Sequence, residues 1–306
     1  MTHVLRTVLL CLAATAWCLT GTAAAPADSN KTVPLYRTAH DAPLRATEKL
    51  LEAAEGHTKL RIEFNGIEGD RVPGHLYLPK KPDGRRPAVL VQHGIGDKKQ
   101  AEYIFHCCRL LAEQGVVALA IDAPRRGERR NNQPSPAWWD MPQMHRWFQQ
   151  HCGDYSRAFD YLATRADVDK TRLGYIGFSW GGITGVTYAA YDPRVRTVVC
   201  VGGGGKLIGL LGVPMADRPD VPVLDPAYHV ARIAPRPLLM INAKKDAIVL
   251  RPFATALHQA AGEGSKVAWY DTNHYFEGVD RPKIMQSIVD FMKDGLARNP
   301  LSPARQ

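Results

Sequence analysis

The chain has 306 residues, 45% of them hydrophobic and 23% charged, a balance that suits a soluble globular domain and excludes a low-complexity or collagen-like chain. Its formal net charge is +9. No helix-turn-helix, zinc-finger or aromatic nucleic-acid signature accompanies that charge, so a nucleic acid is not the expected partner.

The N-terminus is set aside first. Met1 to Arg6 carries one Arg, Thr7 to Leu19 is almost wholly apolar, and Gly21-Thr22-Ala23-Ala24-Ala25 supplies the small residues of a signal-peptidase site. A cut after Ala24 leaves Thr22 and Ala24 at the two small-residue positions and keeps Pro26 away from the position next to the cut. The apolar run is too short to span a bilayer comfortably, and no later stretch approaches ~20 apolar residues. Trp17 before Cys18 departs from a lipoprotein signal, which wants a small residue there. We therefore expect residues 1–24 to be a signal peptide and 25–306 a single domain, periplasmic or secreted, with no membrane anchor after cleavage.

Asp41 can cap a helix from about Pro43 to Ala54, with Leu44, Leu50, Leu51 and Ala54 as its apolar positions. Leu60–Phe64 and Val72–Leu78 read as an antiparallel hairpin joined through Asn65-Gly66 and Gly69-Asp70. Ala88–Gln92 is then a short apolar strand, followed by a helix from about Gln100 to Gln114 whose Ile104, Cys107, Cys108 and Leu111 share a face. Further strands are predicted at Val116–Ile121, Leu173–Ile176, Val198–Val201, Pro237–Asn242 and Val267–Tyr270, with helices at Ser156–Arg165 and Arg281–Leu296. Alternating strands and helices after an antiparallel start imply a mostly parallel sheet of about eight strands covered by helices on both faces. Two segments break the rhythm and read as rims or lids: about 125–153, aromatic and rich in Pro and Gln, and about 203–233, rich in Gly and Pro.

Once the signal has gone, Cys107, Cys108, Cys152 and Cys200 remain, and three full pairings are open to them, although Cys200 in the apolar run Val198–Val201 reads equally well as a buried free thiol. None has zinc-ligand spacing, so no metal is assigned, and no cofactor motif is present. Lys206 follows four glycines, but Cys200 stands where a phosphate loop needs its first Gly and Leu207 where it needs Ser or Thr. The densest basic patch, Arg125, Arg126, Arg129 and Arg130, reads as a solvated loop face or as an attractor for an acidic polymer.

Gly177-Phe178-Ser179-Trp180-Gly181 follows one predicted strand and opens a helix, which is G-x-S-x-G in a strand–turn–helix setting. Small residues two before and two after the serine let strand and helix approach around a tight turn. An acid and then a His should follow, each after a later strand. Asp246 and His274 occupy those places, so Ser179, Asp246 and His274 are the expected triad. Asp271 lies too close to His274 in sequence to be the acid, and neither His229 nor His258 follows a strand suitably. The loop Gln92-His93-Gly94-Ile95-Gly96 ends a strand where an oxyanion loop belongs, and the backbone N–H groups of Ile95 and Trp180 are the expected donors. His93 is read as a brace for that loop. The Trp180 side chain is expected to point toward the acyl pocket.

With these residues in view, the chain from about Leu60 to Leu296 resembles the dienelactone-hydrolase and acetyl-xylan-esterase branch of the α/β-hydrolases, which also includes prolyl-oligopeptidase catalytic domains. The resemblance rests on His93-Gly94, Asp122 with Arg126-Gly127, Gly177 to Gly182, and Asp225-Pro226 with Ile233 to Asp246. It implies the α/β-hydrolase fold. Dienelactone hydrolases have Cys where this chain has Ser179, and acetyl xylan esterases usually have Gln and Glu where it has Trp180 and Tyr275. The expected function is carboxylic-ester hydrolysis through an acyl-enzyme on Ser179, acting on a small-molecule or polysaccharide-linked ester such as acyl or feruloyl groups of plant or cell-wall-derived compounds. A peptidase or amidase is the alternative. A binding protein on this fold usually has a broken triad, and here nothing is missing.

Overall fold

The structure is a computed structural model that describes residues 38–80, 84–131, 135–137, 140–206, 224–262 and 264–299. The expected signal peptide and much of the second rim segment lie outside the described residues. The strands are β1 (Thr47–Ala53), β2 (His57–Asn65), β3 (Arg71–Pro79), β4 (Arg86–Gln92), β5 (Val117–Ile121), β6 (Val168–Phe178), β7 (Val195–Val201), β8 (Leu238–Ala243) and β9 (Ser265–Tyr270). They form one nine-stranded sheet in the order β1-β2-β3-β5-β4-β6-β7-β8-β9. β1, β2 and β3 pair antiparallel, β3 joins β5 antiparallel, and every pair from β5 to β9 is parallel.

The longer helices are α1 (Glu102–Glu113), α2 (Met141–Thr164), α3 (Trp180–Tyr191), α4 (Arg251–Ala261) and α5 (Arg281–Arg298). Successive side chains of a strand point to opposite faces, and the two cores follow that rule. On β4, Ala88 and Leu90 pack with α2, α3 and α4, whereas Val89 and Val91 pack with α1 and α5. On β5, Val117, Leu119 and Ile121 take the first face and Ala118 and Ala120 the second. Burial on both faces explains why these strands read as unbroken apolar runs.

Two expectations are corrected. Residues 47–53 form a strand, where a helix over Pro43–Ala54 was expected. Thr-Glu-Lys-Leu-Leu-Glu-Ala has good helix formers and no period-two pattern, yet it pairs with β2 from Thr47↔Glu63 to Ala53↔Thr58. As an edge strand exposed at all seven positions, it has no buried face to impose alternation. The second correction concerns the first rim segment. Its latter half is helical, because α2 begins at Met141, with Asp140 accepting from the Gln143 N–H at 3.1 Å and Pro142 in the first turn. Gly153 argues against a helix in sequence, but a Cβ there would lie 2.7 Å from Ile67, so it permits a close approach.

Candidate active site

β6 ends at Phe178 and α3 begins at Trp180, so the chain turns from strand to helix on Ser179 alone. Ser179 has φ 51° and ψ −116°, a conformation seldom adopted by a residue with a side chain. The turn is held by the Ser179 N–H, which donates to Val201 O at 2.7 Å. Neither flanking glycine could carry a side chain. A Cβ on Gly177 would stand 2.2 Å from Gly181 O, and one on Gly181 would stand 2.7 Å from Gln92 O.

The carboxyl edge of the sheet brings the three predicted residues together. Asp246 follows β8, His274 follows β9, and Ser179 follows β6. Ser179 Oγ lies 3.0 Å from His274 Nε2, and His274 Nδ1 lies 2.7 Å from Asp246 Oδ2. The other oxygen of Asp246 accepts from the N–H groups of Ile248 and Val249, each at 2.8 Å. With one oxygen fixed by two backbone donors, the second is aimed at the imidazole. Facing a carboxylate, Nδ1 carries the ring proton, which leaves Nε2 as an acceptor for the serine hydroxyl.

The loop after β4 is held at several points. His93 Nε2 accepts from the Ala123 N–H at 3.1 Å, so Nδ1 bears the proton and donates to Gly94 O at 2.7 Å. Burial lowers the His93 pKa, which keeps the ring in this neutral form. The Asp97 N–H also donates to Gly94 O. Because a trans peptide points its C=O and N–H in opposite directions, fixing Gly94 O also fixes the aim of the Ile95 N–H. Tyr103 Oη accepts from the Gly94 N–H at 3.0 Å and donates to Asp97 at 2.7 Å. Arg126 Nε donates to Ile95 O. Lys99 and Asp122 tie the same loop to the one after β5 through a buried ion pair.

Tyr103 and Lys99 were missed in the sequence, where each is one polar residue in or near an ordinary loop. The competing residues stand elsewhere. His229 pairs with Tyr191, His258 bonds Asn242 at 2.9 Å, and Asp271 forms an exposed ion pair with Lys245. Two of the patch arginines are engaged by the protein itself. Arg129 is held by Asp70 and Asp154, with its side chain only 5% exposed, and the half-buried Arg126 reaches into the loop after β4.

Trp180, whose side chain was expected to point toward the acyl pocket, is buried, with 6% of the residue exposed. It stacks on Trp147 with ring centroids 5.2 Å apart, and its Nε1–H donates to His151 Nε2 at 3.2 Å. His151 must therefore carry its proton on Nδ1, which donates to Trp147 O at 2.7 Å. Burial pushes the His151 pKa down to about 3, so the ring stays neutral. Cys107, Cys108, Cys152 and Cys200 are buried free thiols, and burial raises the pKa of Cys107 and Cys200 to about 12. No helix among the described residues is long and apolar enough to cross a membrane, and no metal-ligating cluster occurs among them.

The sheet order and the strand-to-helix turn on Ser179 together define an α/β-hydrolase fold. Structural comparison agrees: an acetyl xylan esterase from Paenibacillus sp. R4 superposes with a TM-score of 0.70 at 19% identity, over 83% of this chain and 90% of that one. The dienelactone hydrolase family model matches residues 72–288, and the chain belongs to that family. Among curated relatives, "Putative hydrolase YtaP" of Bacillus subtilis is 34% identical over 154 residues, 46% of this chain and 50% of that one. "Putative carboxymethylenebutenolidase" of Salmonella typhimurium is 26% identical over 265 residues, 84% of this chain and 90% of that one. The match thus spans half the length of the Bacillus protein and nearly all of the Salmonella one.

Proposed function

We propose that the protein is an exported serine carboxylesterase working through an acyl-enzyme on Ser179. The observation that carries this reading is the continuous relay Ser179–His274–Asp246, with contacts of 3.0 and 2.7 Å. His274 Nε2 takes the hydroxyl proton as Ser179 Oγ bonds to the ester carbonyl carbon. The carbonyl oxygen becomes an oxyanion, held by the N–H groups of Ile95 and Trp180. Collapse breaks the bond to the alcohol oxygen, which leaves with the proton from Nε2. Water then gives a proton to Nε2 as it attacks the acyl carbon, and the second collapse returns that proton to Ser179 while the acid departs. Asp246 stays ionised, holds the tautomer and stabilises the imidazolium.

The substrates we propose are acyl or feruloyl esters of plant or cell-wall-derived compounds. Support comes from the signal-like N-terminus and from the Paenibacillus neighbour, which is described as an acetyl xylan esterase. The test sets p-nitrophenyl acetate, longer acyl esters and methyl ferulate against peptide p-nitroanilides. Turnover of esters that is lost in Ser179→Ala supports the reading. Faster turnover of the anilides would replace it with a peptidase.

A further inference from the structure

A cleft of about 470 Å³ is lined by Glu68, Arg125, Gln143, Arg146, Trp147 and Gln150 among others. Its size falls within the ~300–1,000 Å³ of pockets that hold small organic ligands. Arg125 follows β5, and β5 is separated from β6 only by β4. With strands about 4.8 Å apart, Arg125 stands on the order of 10 Å from Ser179 along the carboxyl edge. The link between the two runs through Arg126, the residue after Arg125, whose guanidinium lies over the Trp147 ring and donates to Ile95 O. A small ester held at Ser179 would not span that distance, but a neighbouring unit of a chain that carries the ester would.

The lining has a definite chemistry. It offers guanidinium groups, carboxamides, one carboxylate and one indole, with no aliphatic side chain among the described residues. Such a surface is wrong for an acyl tail. Carboxamides donate to and accept from hydroxyl groups, and a guanidinium fork matches a carboxylate. Two arginines against one glutamate leave a single net positive charge, which suits one carboxylate.

The backbone at Arg125 adds an independent observation. The Arg126 N–H closes a turn onto Ala123 O at 3.0 Å, with Pro124 second and Arg125 third at φ 63°. A turn with positive φ at its third position ordinarily takes Gly or Asn there. This chain holds a long cationic side chain at that strained place, aimed into the cleft.

We propose that this cleft binds a uronic acid unit of the glycan that carries the ester, with Arg125 and Arg146 on its carboxylate and the glutamines on its hydroxyls. The inference rests on the esterase reading and names its substrate class. An ester on a glycan is a branch, so neighbouring sugar units spread along the carboxyl edge to either side of Ser179.

The test is isothermal titration of the Ser179→Ala protein, which does not turn substrate over, with trigalacturonic acid and with neutral xylotriose. Trigalacturonic acid should bind at least tenfold more tightly than xylotriose, and added salt should weaken it. Arg125→Gly suits the positive φ and removes only the guanidinium, and Arg146→Gln keeps a good helix former on the exposed face of α2. Each, in the same background, should weaken trigalacturonic acid at least tenfold, with the melting temperature as the control on folding. Absent binding, equal affinity for the two sugars, or affinity that survives both substitutions would overturn the proposal. A wild-type protein that binds trigalacturonic acid but cleaves no ester would overturn the esterase reading and leave the cleft standing.

Discussion

Lys99 and Asp122 form an ion pair at 2.6 Å in which neither side chain is exposed to water. Asp122 also accepts from the backbone N–H groups of Lys99 and Glu128, each at 2.9 Å, and Lys99 Nζ reaches Glu128 at 2.5 Å. The pair therefore fastens the loop bearing Ile95 to the loop after β5. Gly127 makes the closure possible, with φ 54° and a would-be Cβ 2.2 Å from the Asp122 carboxyl. A buried charge that loses its partner is far more costly than the pair itself is stabilising. Lys99→Met should thus lower stability by about 3–5 kcal/mol in denaturant unfolding. A loss below about 1 kcal/mol, the range of an exposed pair, would mean that water or another cation reaches Asp122.

The relay predicts unequal effects for its members. Ser179→Ala should lower kcat on p-nitrophenyl acetate by about 10⁴–10⁶ and abolish labelling by a fluorophosphonate. Asp246→Asn should cost about 10⁴ while the backbone holds its place, because an amide N–H facing Nδ1 favours the wrong tautomer. Labelling that persists in Ser179→Ala would move the nucleophile elsewhere.

How much of this was legible depended on whether local chemistry had one reading. Gly177-Phe178-Ser179-Trp180-Gly181 did, because only an elbow needs glycines on both sides of a serine between strand and helix. The parallel strands did as well, since burial on both faces leaves continuous apolar runs such as Val117–Ile121. β1 did not, because an edge strand with every residue exposed carries no pattern of burial. Lys99 and His151 were equally hidden. A lysine in a polar loop and a histidine in an aromatic one become buried partners only through Asp122 and Trp180, which lie far from them in sequence.

Burial of neutral histidines sets the response to acid. Burial lowers the pKa of His151 to about 3, and of His75 and His258 to about 4, from an unfolded value near 6.5. Between these limits the unfolded chain holds more protons than the folded one, so stability falls as pH falls. Their contribution is complete above pH 6.5 and is lost progressively down to about pH 3. Glu128 adds a later loss. Burial raises its pKa, but hydrogen bonds from Lys99 and Arg61 outweigh that and hold it at about 2. Its contribution therefore disappears as pH drops from 4.5 toward 2. Unfolding midpoints in urea should decrease steadily from pH 7 to pH 4, and His258→Gln should make the decrease shallower. A constant midpoint over that interval would show that the three rings titrate in the folded protein as they do in the unfolded chain.

Trp180 separates a backbone role from a side-chain role. Trp180→Ala keeps the N–H proposed for the oxyanion, and losing such a donor outright would cost about 10²–10³ in rate. The indole, however, fills the space beside Trp147 and Phe148 and satisfies His151 Nε2. Its removal leaves a core cavity, worth about 3–5 kcal/mol for a buried aromatic. It also leaves a buried acceptor without its donor, at about 1–3 kcal/mol. We therefore expect Trp180→Ala to lose stability heavily while losing much less than 10²-fold in kcat at low temperature. Trp180→Phe should retain most of the stacking and lose mainly the hydrogen bond to His151. Acyl-chain profiles from acetate to octanoate should keep their shape in Trp180→Phe, since a side chain buried against α2 cannot measure acyl length. A changed profile would place the indole at the pocket wall. A uniform loss of 10²–10³ with a native melting temperature would mean that the ring positions the elbow itself.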